Sequence, residues 1–184
     1  MGKFVLAYDI GTTGVKTCLI EIDKSIRIIS SASAGYRLYV LDNGGAEQDP
    51  NEWWDAMKST TRRIFADSAI KPEQVEGISF CSQAQGLVLV DRDGEPVHRA
   101  FSYMDQRATK EIKDGLKFGL QIEGANVVRL LTSLAITGAA PLSVKDPLWK
   151  YLWLKNNEPS NFERVYKWLD VKEYLIARMT GEFV

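Results

Sequence analysis

The feature that most restricts the fold is a short polar loop set between two apolar runs near the N-terminus. Phe4 to Ala7 and Thr17 to Ile22 have the length and β-branched content of strands. Between them lies Tyr8-Asp9-Ile10-Gly11-Thr12-Thr13-Gly14-Val15-Lys16, so the spacing predicts strand, tight loop, strand. Gly11 and Gly14 can take positive φ, which would let the chain reverse sharply and leave backbone N–H groups facing an anion. Thr12 and Thr13 add hydroxyls, Lys16 adds a cation, and Asp9 stands at the strand end as a ligand for hydrated Mg²⁺. Such a set suits the terminal phosphates of a nucleotide. The same residues also satisfy a plain hairpin in which Gly-Thr-Thr-Gly is turn chemistry alone. No Gly-Lys-Ser/Thr opens a helix here, so this is not a Walker A loop.

Further along, Ile26 to Ile29 begins a third antiparallel strand, and Asp42-Asn43-Gly44-Gly45 breaks the pattern. In Ala46 to Trp54, Asp49 reads as an N-cap, Pro50 as the first helical residue and Glu52 as the closing partner of a capping box. The helix runs to about Ser68, with Trp53, Met57, Thr60, Thr61, Ile64 and Phe65 on its inner face. Val75 to Phe80 reads as a buried strand of the parallel type. It ends in Ser82-Gln83-Ala84-Gln85-Gly86, and Leu87 to Val90 and Ala100 to Tyr103 are further strands. Helices are expected over Ala108 to Leu120, interrupted at Gly115 and Gly119, over Asn126 to Leu134, and after Lys145-Asp146-Pro147. Arg164 to Leu169 is a strand, Asp170 caps a last helix, and Gly181 ends it.

Composition narrows the classes of function. The chain has 184 residues, 45% of them hydrophobic and 26% charged, enough for one domain with a sizeable core. A formal charge of −1 offers no basic footprint for nucleic acid or an anionic membrane. No apolar run approaches ~18 residues and no leader pattern opens the chain, which predicts a soluble, cytoplasmic protein. Cys18 and Cys81 lie in apolar runs without metal-ligand spacing, as reduced core thiols would. His98, the one histidine, follows Glu95-Pro96-Val97 in a turn and is expected at the surface, so no histidine triad or zinc site is expected.

Asp-Ile-Gly-Thr-Thr resembles the phosphate loop of actin-like, sugar-kinase and Hsp70-type ATPases. Three later stretches narrow the resemblance to the FGGY carbohydrate kinases, xylulokinase-like in type. These are Glu47-Gln48-Asp49-Pro50 before a tryptophan-bearing helix, Gly-Ile-Ser-x-x-Ser-Gln-x-x-Gly at 77–86 with Asp-x-x-Gly-x-Pro at 91–96, and Asp-x-Arg-Ala at 105–108. Lys150-x-x-Trp153 leading to Glu158-Pro159, and Lys172 to Leu175 followed by Met179 to Phe183, are similar to xylulokinase segments. The resemblance runs from Val5 to Val184 and is weakest over Lys110 to Leu142.

The resemblance implies an α/β, ribonuclease H-like (actin-like ATPase) fold: a mixed sheet with helices on both faces, truncated. Residues 1–184 would be the incomplete N-terminal FGGY domain. ATP and Mg²⁺ are the implied cofactors, and a small sugar or polyol the implied partner, with a homodimer compatible. Asp9 resembles the ligand of the Mg²⁺-bound water, Gly11, Thr12 and Thr13 the contacts of the β- and γ-phosphates, and Lys16 a cation near the transferred group. Gln83, Ala84, Gln85 and Asp105 fall on the sugar side. At Ala84–Gln85 the family commonly carries Met-His or Arg-Glu, and this sequence carries neither. Gln85 keeps the capacity to donate and accept, whereas Ala84 leaves room. Asp105 resembles a pocket-side carboxylate, with capping of the following helix as the structural alternative. The general-base Asp, the second phosphate loop and the adenosine pocket would lie beyond Val184, so no catalytic residue is assigned here and the chain alone is expected to be inactive. A conformational ATPase module and a sugar-binding module without turnover are the competing readings.

Overall fold

Alternation along the first strand sets up everything that follows. On β1 (Lys3–Ile10), Phe4, Leu6, Tyr8 and Ile10 are buried, while Lys3 and Asp9 are exposed. The computed structural model describes residues 2–116, 121–122, 125–138 and 140–183. After β1 come β2 (Gly14–Ile22), β3 (Ile26–Gly35), β4 (Tyr39–Val40), β5 (Ala46–Gln48) and α1 (Pro50–Asp67). Next are β6 (Val75–Ser82), β7 (Val88–Val90), β8 (Ala100–Phe101), α2 (Thr109–Leu116), β9 (Gln121–Ile122) and β10 (Ala125–Asn126). The chain continues with α3 (Val127–Thr137), α4 (Pro147–Asn157), α5 (Pro159–Phe162), β11 (Lys167–Leu169) and α6 (Val171–Thr180).

The chain forms two compact units. The first comprises Met1–Leu38, Gln48–Ala84 and Leu169–Val184; the second comprises Tyr39–Glu47 and Gln85–Trp168.

In the first unit the sheet has the order β3-β2-β1-β6, antiparallel except for the β1–β6 pair, as the run of hairpin and later strand predicts. Register places Leu6 opposite Leu19 and Tyr8 opposite Thr17, so one sheet face is apolar. Helix α1 covers that face. Its Thr60 hydroxyl lies 2.8 Å from that of Thr17, and the Tyr8 hydroxyl lies 2.7 Å from that of Thr61. Asp49 caps α1 by accepting the Asn51 N–H at 2.9 Å, with Pro50 in the first turn. The Glu52 carboxylate takes the Arg37 backbone N–H at 2.8 Å. Trp53, buried on α1, meets Tyr174 of α6 edge-on. Asp170 caps α6 through the Val171 N–H, and Gly181 closes it with φ 77.

Three expectations are corrected. Among the described residues β6 is an edge strand with one neighbour, and its side chains are partly or fully exposed, so it is not a buried parallel strand. Cys81 is consequently exposed and Cys18 only half-buried; neither is a core thiol. His98 is no surface histidine: its side chain is 11% exposed, stacked on Phe101 and 3.5 Å from carboxylate oxygens of both Glu47 and Glu158. The apolar body of the ring packs, Nε2 faces the two acids, and Nδ1 lies 2.5 Å from the Arg99 carbonyl oxygen.

The second unit is built around Leu87, Leu89, Val97, Phe101 and Leu154. Leu87 and Phe101 exchange backbone hydrogen bonds at 3.0 and 2.9 Å, and Tyr39 and Val40 pair with Glu47 and Ala46. Asn126 caps α3 and Asp146 caps α4. The helix expected from Ala108 is seen over Thr109–Leu116; residues 117–120, with Gly119, lie outside the described residues.

Candidate functional site

The loop after β1 is shaped by close approach. Neither Gly11 nor Gly14 has positive φ, contrary to the turn chemistry expected of them. Gly14 is needed because a Cβ there would stand 2.7 Å from the Ala34 carbonyl oxygen of β3. The Gly11 N–H is spent on the Gly14 carbonyl at 3.0 Å. Among the described residues, no group accepts from the backbone N–H of Thr12 or Thr13. Two adjacent donors at an exposed turn make a small concavity for anionic oxygens.

On the open face of the sheet, Asp9 sits directly opposite Lys16, and Lys16 opposite Ser33. Asp9, Lys16 and Ser33 are all exposed. A carboxylate and an ammonium are thus cross-strand neighbours beside the two open donors. No cluster of three or more His, Cys, Asp or Glu suited to a metal is present among the described residues. One exposed carboxylate is nonetheless enough for Mg²⁺, which keeps most of its waters and takes its remaining ligands from phosphate. The residues therefore fit a hydrated Mg²⁺–phosphate group at Asp9, with Thr12 and Thr13 supplying N–H donors.

Two side chains that sequence reasoning passed over hold this loop. The Tyr36 hydroxyl donates to the Gly11 carbonyl, and Gln48 Nε2 donates to the Thr12 carbonyl at 2.7 Å. Burial pushes the Tyr36 phenol well above its ordinary value, and the nearby Asp9 charge pushes it the same way. Gln48, which is fully buried, accepts in turn from Gln83 Nε2 at 2.6 Å, and the Gln83 backbone N–H donates to the Ile10 carbonyl at 2.8 Å. The turn after β6 is thereby tied to the loop at 11–14. Gln83 and Ala84 also line a pocket of about 260 Å³ with Phe80, Cys81, Ser82, Asp170, Lys172 and Glu173. The Gln83 Oε1 is buried and, among the described residues, accepts no hydrogen bond. The signal for Gln48 was present in Glu-Gln-Asp-Pro, where it reads only as the approach to a helix.

Gln85 and Asp105 belong to the second unit. Gln85 has an exposed side chain and a left-handed backbone, φ 60. Asp105 is not a pocket-side carboxylate. It is fully buried, accepts the Ala46 N–H at 2.8 Å, and receives Arg107 from Nε at 2.9 Å and Nη2 at 2.7 Å. Nor does it cap α2, which starts at Thr109. Arg107 reaches Glu47 as well, at 2.7 Å, and its guanidinium lies over the Phe101 and Trp153 rings. Burial works against the Arg107 charge, but hydrogen bonds and charge from Asp105, then Glu47, outweigh it and raise its pKa.

Solved structures share this fold. The chain superposes on a gluconate kinase from Lactobacillus acidophilus with a TM-score of 0.81 and 28% identity, covering 100% of this chain and 34% of that one. A ligand-bound xylulose kinase from the same organism gives 0.80 and 28%, covering 98% and 34%. With its mixed sheet and helices, the chain has the fold of the actin-like ATPases. The model of the N-terminal domain of the FGGY family of carbohydrate kinases matches residues 4–184, and the chain belongs to that family. A xylulose kinase of Staphylococcus xylosus is 32% identical over 178 residues, 97% of this chain and 34% of the relative. A gluconokinase of Bacillus licheniformis is 28% identical over 100% of this chain and 33% of its own length. The chain thus spans about a third of the length of the curated relatives it matches. No helix among the described residues is long and apolar enough to cross a membrane.

Proposed function

We propose that this chain supplies the phosphate-loop side of an ATP-dependent kinase acting on a small sugar or polyol. The observation that carries the reading is the pair Asp9–Lys16 on an open sheet face beside the unpartnered N–H groups of Thr12 and Thr13. Bound Mg²⁺ would neutralise phosphate charge and order the oxygens for in-line transfer. Asp9 would hold its water shell, Thr12 and Thr13 would donate to phosphate oxygens, and Lys16 would add positive charge. Tyr36 and Gln48 keep the loop in shape by fixing the Gly11 and Thr12 carbonyls. The exposed Gln85 amide can both donate to and accept from sugar hydroxyls. Xylulose kinases and gluconokinases among the relatives support a hydroxylated C5 or C6 acceptor.

The 184 residues on their own would bind without turning over. Transfer needs a base within about 2.6–3.2 Å of the attacking hydroxyl, and Asp105, the one sugar-side carboxylate proposed from the sequence, is consumed by Arg107 and Ala46. The test is calorimetric titration of the chain with xylulose, gluconate and glycerol, with a coupled ADP-release assay in parallel. Sugar binding with no ADP release is expected. ADP release from the chain alone would show that the base lies within it; no binding of any polyol would leave a nucleotide-binding module.

A further inference from the structure

A lysine that the proposed chemistry does not use is buried at the foot of both sugar-side turns. Lys150, on α4, has no exposed surface. Its Nζ donates to the Gln85 carbonyl at 3.0 Å and to the Ser102 carbonyl at 2.8 Å. An ammonium is taken out of water only where strong acceptors replace the lost hydration, and here backbone carbonyls from two separate turns do so.

The first turn is strained. Gln85 is the one described non-glycine residue with positive φ, a conformation that persists only where the surroundings impose it. Two residues on, Leu87 is locked to Phe101 by reciprocal backbone hydrogen bonds. The second turn begins at Ser102, whose N–H donates to the Ala46 carbonyl, whose carbonyl also accepts from Asp105 N–H at 3.1 Å, and whose hydroxyl accepts from Met104 N–H. Lys150 therefore connects the residue that presents an exposed amide to the segment carrying the Asp105–Arg107 pair. A four-carbon stem reaching from a helix, ending in several donors, is what this task requires.

The geometry points to Lys150 as a positioning residue for polyol recognition. Its ammonium holds Gln85 in the left-handed conformation, and the Gln85 side chain is thereby aimed at sugar hydroxyls in one orientation. This rests on the sugar-kinase reading above, and its test separates the two.

In the unsubstituted chain, NMR should show a slowly exchanging Lys150 ammonium with correlations across hydrogen bonds to the carbonyl carbons of Gln85 and Ser102. In Lys150→Met, which keeps the stem and removes the donors, the Gln85 Cα and Cβ shifts should leave their left-handed values. Xylulose and gluconate dissociation constants should rise by about tenfold or more, as misplacement of a contact group predicts. Mg·ATP-dependent shifts at Thr12 and Thr13 should be unchanged. A fast-exchanging ammonium without those correlations would overturn the proposal even if the variant did not fold. So would a folded variant with unaltered Gln85 shifts and unaltered sugar affinity. If the expected Gln85 response appears but no polyol binds either form, the sugar reading falls and the holding role of Lys150 stands.

Discussion

The two units keep their candidate functional segments in place by different physical means. In the first unit the loop at 11–14, the candidate phosphate site, is held by neutral groups, Tyr36 and Gln48, bonding to backbone carbonyls. In the second, the turns at Gln85 and Ser102, proposed for the sugar side, are held by buried charges: Arg107 between Asp105 and Glu47, and Lys150 bonded to the Gln85 and Ser102 carbonyls. A neutral clamp leaves the charges of Asp9 and Lys16 exposed. A buried ionic frame spends its charges on shape.

If that contrast is right, removing an ionic strut should hurt most. Arg107→Met leaves Asp105 buried without its cation and should cost about 3–5 kcal/mol, as broken buried pairs do. Urea melts followed by circular dichroism would show it, and a loss under 1 kcal/mol would mean that water reaches the pair. Next in size, Gly14→Ala drives a Cβ to 2.7 Å from a backbone oxygen that cannot swing away. Overpacking of this kind costs about 1–3 kcal/mol, measured in the same melts, with the strain localised to β2 and β3.

Tyr36→Phe removes one neutral bond and should cost only about 1 kcal/mol at neutral pH. It also has a pH signature. The folded Tyr36 phenol titrates above its ordinary value of 10.0, because burial and then Asp9 disfavour the phenolate. The unfolded chain therefore loses this proton first. The stabilisation is complete below pH 10 and is lost as pH climbs from there towards the raised folded value. Stability of Tyr36→Phe should accordingly fall less steeply than that of the unsubstituted chain above pH 10, which denaturant melts at stepped alkaline pH would reveal. Smallest of all, Asp9→Asn changes an exposed side chain and should move stability by less than about 0.5 kcal/mol.

What could be read from the sequence divides along the same line. Strand alternation in β1 and β2, the Asp49-Pro50 entry to α1 and the Gly181 stop are local signals, and each element forms where its own residues predict. The loop at 11–14 was legible because its residue types sit together in the chain. Gln48, Tyr36 and Lys150 were not, since each acts on a carbonyl belonging to a residue remote in sequence: Thr12, Gly11 and Gln85. A carbonyl carries no residue identity, so nothing in the composition of the receiving segment announces its donor. Asp105 was misread for a related reason. Its motif partner Arg107 was visible, but the burial that makes them a closed pair depends on Glu47 and Ala46 from another strand. Cys81 was misplaced because an apolar run looks alike in a central and an edge strand.

The central claim, that Asp9 and the Thr12–Thr13 donors form a Mg²⁺-dependent phosphate site, is tested most directly by titrating the isotopically labelled chain with Mg·ATP and following backbone amides. The account predicts saturable shifts at Thr12, Thr13 and Lys16 that require Mg²⁺ and disappear in Asp9→Asn. Shifts that persist in Asp9→Asn, or that arise without Mg²⁺ and away from this loop, would contradict it.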